Sequence, residues 1–247
     1  MTEHTQTTVK TNGQKAGKSK GKNNKRKVSA LPANWRDSVL AEAVASEARG
    51  GEWLLPLCVI YATGCRPEEL KTGVVAVFDS EKDEFVFTIK GAKVTEKLQR
   101  GLEERTVRVK RSGASWEKPL TKMLMKTRAL GEFKISIKSP ASFSNKVRAA
   151  SKRLWPQKTV HASPYSFRHQ LVSDMKSADV DALIIAATLG HQSAASQASY
   201  GRRKRGGGSK GVEITASTTG EIRAVKSPLE RFKQRSRARS RVKGLSR

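Results

Sequence analysis

The chain has 247 residues, of which 36% are hydrophobic, 6% aromatic and 29% charged, enough for one substantial domain with tails or for two small domains, and too apolar for a wholly disordered chain. Lys and Arg number 49 against 22 Asp and Glu, a formal net charge of +27, so the natural partner is a polyanion: nucleic acid first, an anionic membrane surface second. Two cysteines in neither zinc-ligand nor redox spacing argue against a disulfide framework or a zinc site and fit a reducing compartment; the polar N-terminal stretch MTEHTQTTVKTNGQ argues against a signal peptide, and the longest apolar run, Leu54–Ala62, is too short to span a bilayer.

The charge divides the chain. Residues 1–30 hold eight Lys/Arg against Glu3 alone, without hydrophobic periodicity, and are expected to form a disordered basic arm. Residues 203–247 are expected to be a basic C-terminal tail, leaving 31–202 as the folded domain.

Within that domain, WRDSVLAEAVASEA carries Trp35, Val39, Leu40 and Val44 at helical spacing, with Asn34 as a candidate cap and Gly50-Gly51 as the stop. EWLLPLCVIYA predicts a second helix that places Pro56 near its first turn and stops at Thr63-Gly64. Pro67 opens a short third helix, PEEL. VVAVFDSEKDEFVFTIKG reads as two β-branched and aromatic strands around a polar turn, and RTVRVKRS alternates as another, giving a small antiparallel sheet of two or three strands. Helices resume with SPASFSNKVRAASKRLW, capped by Ser142 or Ser144, then SPYSFRHQLVSDMKS, DVDALIIAATLG and a short QSAASQASYG. VEITAS and EIRAV could pair as a minor hairpin, and SPLERFKQRSRARSRV predicts a basic helix with Ser227 as cap and Pro228 in its first turn. The fold class is therefore mostly α with a small antiparallel β-sheet, α+β.

An Arg at a helix start or a His after Gly means little alone. The ordered set is more specific: T-G-x-R-x-x-E-L around Arg66, a lysine in a β-hairpin turn, an R-H pair at Arg168 and His169, L-G-H ending at His191, and Tyr200 nine residues on. This series resembles the tyrosine recombinase (phage integrase) family, over roughly Asn34–Arg202.

The resemblance implies a DNA transesterification in which a tyrosine hydroxyl attacks the scissile phosphate, forms a 3′-phosphotyrosyl bond and frees a 5′-hydroxyl, with neither metal nor other cofactor. The residue types suit that chemistry. Arg66 and Arg168 match the two arginines whose guanidinium forks stabilise charge on the non-bridging oxygens. His191 matches a donor to the phosphoryl oxygen, and Tyr200 the nucleophile. The general acid on the leaving 5′-oxygen would be a hairpin lysine: Lys93 in G-A-K fits best, with Lys90 and then Lys97 as alternatives.

Two departures accompany the resemblance. Tyr165 stands where the family usually has the His of H-x-x-R, and it is a poor base at neutral pH; His161 lies four residues too early to replace it. His169 fits as a buried support residue. Only 65 residues precede Arg66, too few for the helical DNA-clamping domain common in the family, so the chain looks like a short, catalytic-domain member whose basic arms grip phosphates in a salt-dependent, sequence-blind way. The expected partner is double-stranded DNA, engaged as a homotetramer with possible accessory DNA-bending proteins and no membrane, in a cytoplasmic, nucleoid-associated setting; a C-terminal element handed to a neighbouring protomer would also fit. The activity implied is integration, excision or inversion, as on a mobile element. The alternative is a non-catalytic DNA-binding relative that occupies a recombination or regulatory site.

Overall fold

A computed structural model describes residues 28–92, 101–127, 132–200 and 213–224. The apolar run becomes the central helix. α2 (Leu54–Thr63) follows α1 (Trp35–Glu47), and Leu57, Cys58, Val59 and Ile60 are wholly buried, so no side of α2 in that stretch faces water. Pro56 falls in the first turn, where its missing N–H leaves no bond unmade. Gly64 ends the helix at φ +61, donating its N–H to Ile60 O. Asn34 stands at the α1 N-cap without using its side chain as a cap. α3 (Pro67–Thr72) starts three residues after Gly64, at Pro67.

A five-stranded antiparallel sheet comes next: β1 (Val74–Asp79), β2 (Glu84–Lys90), β3 (Glu104–Lys110), β4 (Phe133–Ile135) and β5 (Ile214–Thr218), in the order β4-β1-β2-β3-β5. The expected hairpin is the β1–β2 pair, registered Val74↔Ile89 to Asp79↔Glu84, and Asp79 Oδ1 accepts from the N–H groups of Glu81 and Lys82 in the turn. The sheet is wider than expected by its two outer strands. β4 is three residues long, below the length at which alternation can be read, and β5 comes from the segment assigned to the tail. VEITAS pairs with β3, Val107↔Ala216, not with EIRAV. Residues 213–224 therefore belong to the fold, and Arg223 bridges Ser193 on the way out.

The sheet buries Val74 and Ala76, Phe85, Phe87 and Ile89, and Val107 and Val109, the inward rows that period-two alternation sets. Against them pack Trp116, whose ring meets Phe85 edge-on at 5.0 Å, and α4 (Glu117–Thr127). The remaining helices are α5 (Pro140–Leu154), α6 (Pro164–Ser177) and α7 (Ala182–Thr188), followed by a 3-10 helix, Ala194–Ser199. α5 begins earlier than expected: Ser139, not Ser142 or Ser144, is the cap, its Oγ accepting from Ser142 N at 3.3 Å, because Pro140 supplies the first helical position. α6 packs on α2, with Phe167 edge-on to Trp35 at 4.6 Å. The architecture is α+β, as the patterning implies.

Val28, at the end of the expected basic arm, is buried; residues 1–27 and the expected Ser227-capped helix lie outside the described residues. No helix among the described residues is long and apolar enough to cross a membrane.

The Phe85 cluster locks the sheet to α4. Phe85→Ala should lower unfolding stability by about 3–5 kcal/mol, measured as a shift in urea midpoint at unchanged slope.

Candidate active site

Four of the residues singled out by the sequence converge where α3, α6, α7 and the 3-10 helix meet. Arg66 is the N-cap residue of α3; its backbone N–H donates to Glu69 Oε2 (2.7 Å) and its Nη1 to Glu69 Oε1 (2.8 Å). Arg168, in the second turn of α6, is completely buried. Its Nη1 donates to Gly64 O and its Nη2 to Leu189 O, both at 2.7 Å. Nη2 also lies 3.1 Å from His191 Nε2. The Tyr200 ring covers Arg168, with the guanidinium carbon 5.1 Å from the ring centroid, and sits between His169 (4.9 Å) and His191 (5.4 Å). Lys176 Nζ donates to Tyr200 O.

The glycines of both recognised stretches have a steric reason. At Gly64 a Cβ would stand 3.0 Å from Leu171 and 3.4 Å from Arg168 Cα. At Gly190, φ +66, it would stand 2.7 Å from Arg105 Nη1.

Arg105 and Glu69 are the site residues that sequence reasoning missed. Arg105 takes an inward position on β3, in the row of Val107 and Val109, and is 1% exposed. It forks onto Glu69 at 2.8 and 3.3 Å and donates from Nε to Thr188 O at 2.8 Å. The signal was present in the alternation of RTVRVK, which puts Arg105 on the apolar face. Burial alone would raise the Glu69 pKa, but Arg105, then Arg168 and Arg66, hold it down at about 2. One carboxylate thus serves three guanidinium groups.

The electrostatics follow. Burial, and then Arg66, lower the Arg168 pKa to about 10, so it stays charged at neutral pH. Burial, with Arg168 next, lowers the His191 pKa to about 3, so the ring is neutral. A guanidinium only donates, which makes Nε2 of His191 the acceptor and leaves the proton on Nδ1. His191 Nδ1 and Arg168 Nε are both buried without a partner among the described residues. Two such donors within a cluster of arginines suit an anion with several acceptor oxygens. Cys65, beside Arg66, is raised to about 12, by burial and then Glu69, and stays a thiol.

Tyr165 is bonded to Glu68 and within electrostatic reach of Arg66 and Arg168. Its hydroxyl donates to Glu68 Oε2 at 3.2 Å, tying the start of α6 to the start of α3, and burial followed by the Glu68 charge raises its pKa. His161 keeps its Nδ1 buried without a partner among the described residues. Lys93 and Lys97 lie outside the described residues; Lys90 is exposed at the end of β2, opposite Glu104. Among the described residues no cluster of three or more His, Cys, Asp or Glu could hold a metal ion.

No family model and no curated protein matches the chain. Among solved structures, a XerA recombinase aligns at 18% identity over 69% of this chain and 58% of that one, with TM-score 0.49. A XerH site-specific recombinase bound to difH substrate in a pre-cleavage complex aligns at 18% identity over 69% and 49%, TM-score 0.46. A XerH post-cleavage complex with palindromic difH substrate aligns at 16% over 69% and 48%, TM-score 0.45. The chain spans about half the length of these XerH proteins.

Two outcomes test the electrostatics. Glu69→Ala leaves Arg105 buried and uncompensated and should cost about 3–5 kcal/mol in chemical denaturation. The unfolded His191 ring takes up a proton near pH 6.5 while the folded ring resists until about pH 3, so the unfolded state binds more protons in that window and stability is lost as pH falls through it. His191→Gln should remove about 2 kcal/mol of the stability lost between about pH 7 and 5, read from Tm against pH.

Proposed function

We propose that the chain is a tyrosine-type site-specific DNA recombinase that cuts and rejoins double-stranded DNA through a 3′-phosphotyrosyl intermediate. The observation that carries this reading is the packing of Tyr200 over Arg168 and between two histidines, beside the unengaged donors Arg168 Nε and His191 Nδ1.

In this reading the scissile phosphate lies against Arg66, Arg168 and His191. Tyr200 Oη attacks phosphorus, loses its proton and forms the phosphotyrosyl ester as the bond to the 5′-oxygen breaks. The arginines stabilise charge on the non-bridging oxygens, and neutral His191 adds a donor from Nδ1. The leaving oxygen takes a proton from Lys93, or from Lys90 or Lys97 in its place. A 5′-hydroxyl from a partner strand reverses these steps, so bond energy is conserved in the ester and no metal or nucleotide is consumed. Tyr165, with its proton committed to Glu68, orients the arginine-bearing helix starts instead of acting as a base.

The same reading makes 31–202, extended by 213–224, a catalytic domain flanked by basic phosphate-gripping arms, acting as a homotetramer on DNA, with or without DNA-bending accessory proteins, near the nucleoid in integration, excision or inversion of a mobile element. A second reading, a non-catalytic DNA-binding relative, is favoured by the Tyr165–Glu68 bond, which leaves no histidine at that place.

The deciding experiment is isolation of covalent protein–DNA adducts from cells without added crosslinker, followed by sequencing of the attached DNA. Adducts at discrete sites, abolished in Tyr200→Phe and reduced by about 100-fold or more in Arg168→Ala, are expected. A folded wild-type chain that yields none, while still occupying DNA, would transfer the assignment to the non-catalytic reading.

A further inference from the structure

The exposed apolar surface of the described residues is concentrated around one helix. Of the four exposed large hydrophobic side chains, Val44 (46% exposed), Val77 (38%) and Met125 (49%) line grooves on the two flanks of α4; the fourth is Leu183. One groove, of about 560 Å³, runs between α4 and the α1–α2 corner over Val44, Leu54, Leu55 and Met123. The other, of about 330 Å³, lies between α4 and β1 at Val77, Phe78 and Met125. Isolated exposed hydrophobics need no explanation, but here Val44 opens onto a groove on one flank of α4 and Val77 and Met125 onto a groove on the other.

The charge on that element says what covers it. Lys118, Lys122 and Lys126 repeat at four-residue intervals along α4, all exposed and all lining the larger groove. None makes an ion pair among the described residues. The single acidic residue of α4, Glu117, is buried and holds the preceding loop, accepting from Ser112 and Gly113. Like charges spaced i, i+4 repel and weaken a helix, so α4 carries a repulsion that its own side chains leave in place.

We propose that the α4 face is a docking surface for an acidic amphipathic helix of another protein, its apolar stripe seated over Val44 and Met123 and its carboxylates paired with Lys118, Lys122 and Lys126. Charge complementarity rules the chain's own tails out as occupants: residues 1–27 carry eight Lys/Arg against one acidic residue, and residues 225–247 carry nine against one. A second copy docked face to face would set the same lysine row against itself. Duplex DNA could neutralise the lysines but offers nothing for the apolar floor, whereas a helix in a groove satisfies both. This surface is independent of the chemistry at Tyr200.

The probe is a fluorescein-labelled peptide of about 18 residues, with Leu at i, i+3, i+4 and i+7 and Glu elsewhere, compared with the same peptide carrying Ser for Leu. Both are titrated against the full chain by anisotropy, at a salt concentration that suppresses binding to the tails. The expected result is a preference of about tenfold or more for the leucine peptide. The preference disappears in a Lys118→Glu, Lys122→Glu, Lys126→Glu triple variant and, separately, in Val44→Ser, both with unchanged circular dichroism and Tm. No preference between peptides, or a preference that survives both variants, overturns the proposal. It also falls if the triple variant weakens duplex binding as much as peptide binding, which would make α4 a DNA-facing helix.

Discussion

The single buried carboxylate of Glu69 is the interaction on which the site depends. Arg66, Arg105 and Arg168 would otherwise gather three permanent positive charges at the junction of α3, β3 and α6, and their mutual repulsion in a poorly solvated place would open it. Glu69 spends both oxygens on two of them, while backbone carbonyls of Gly64 and Leu189 take the third. The carboxylate is itself fixed by the Arg66 N–H at the start of α3, so helix start and charge balance are one arrangement. The cluster is left with more positive than negative charge, which suits it to an anion.

That arrangement also ties the arginines to the main chain. Arg105 reaches from a strand to Thr188 O at the end of α7, and Arg168 reaches from α6 to Gly64 O and Leu189 O. Bonds to main-chain carbonyls do not swing as side-chain pairs do. A donor group held this way keeps its direction when the ligand is absent, and less reorganisation remains for the reacting state.

Much of this was legible in the residues, though unevenly. The apolar run of α2 and the turn between β1 and β2 were readable because each is local: periodicity and turn composition need no partner. The series from Arg66 to Tyr200 was visible only as an ordered set of motifs, four of whose members the fold brings together. Arg105 was not, since an arginine at a strand start is ordinarily a solvated residue, and only its partner on α3 makes the inward position tenable. β4 is too short to alternate visibly. β5 could not be paired from sequence, because its register is set by β3, more than a hundred residues earlier. Ser139 is the cap of α5 in place of Ser142 or Ser144 because Pro140 takes the first helical position.

The pairing of residues 213–224 has a consequence for the order in which the protein becomes complete. Gln192 O and Ala194 N–H, on the segment that leads to Tyr200, find their partners in Arg223, and the outer edge of β3 finds its partner in β5. Synthesis proceeds from the N-terminus, so every other described element is made before these bonds can form. While the chain is still on the ribosome, the helices and inner strands can pack, but the tyrosine segment lacks its brace and β3 presents an open edge. The last of the described elements to be translated thus completes the site, and a nascent or prematurely terminated chain carries the Arg66 and Arg168 cluster without the strand and bridge that brace the Tyr200 segment.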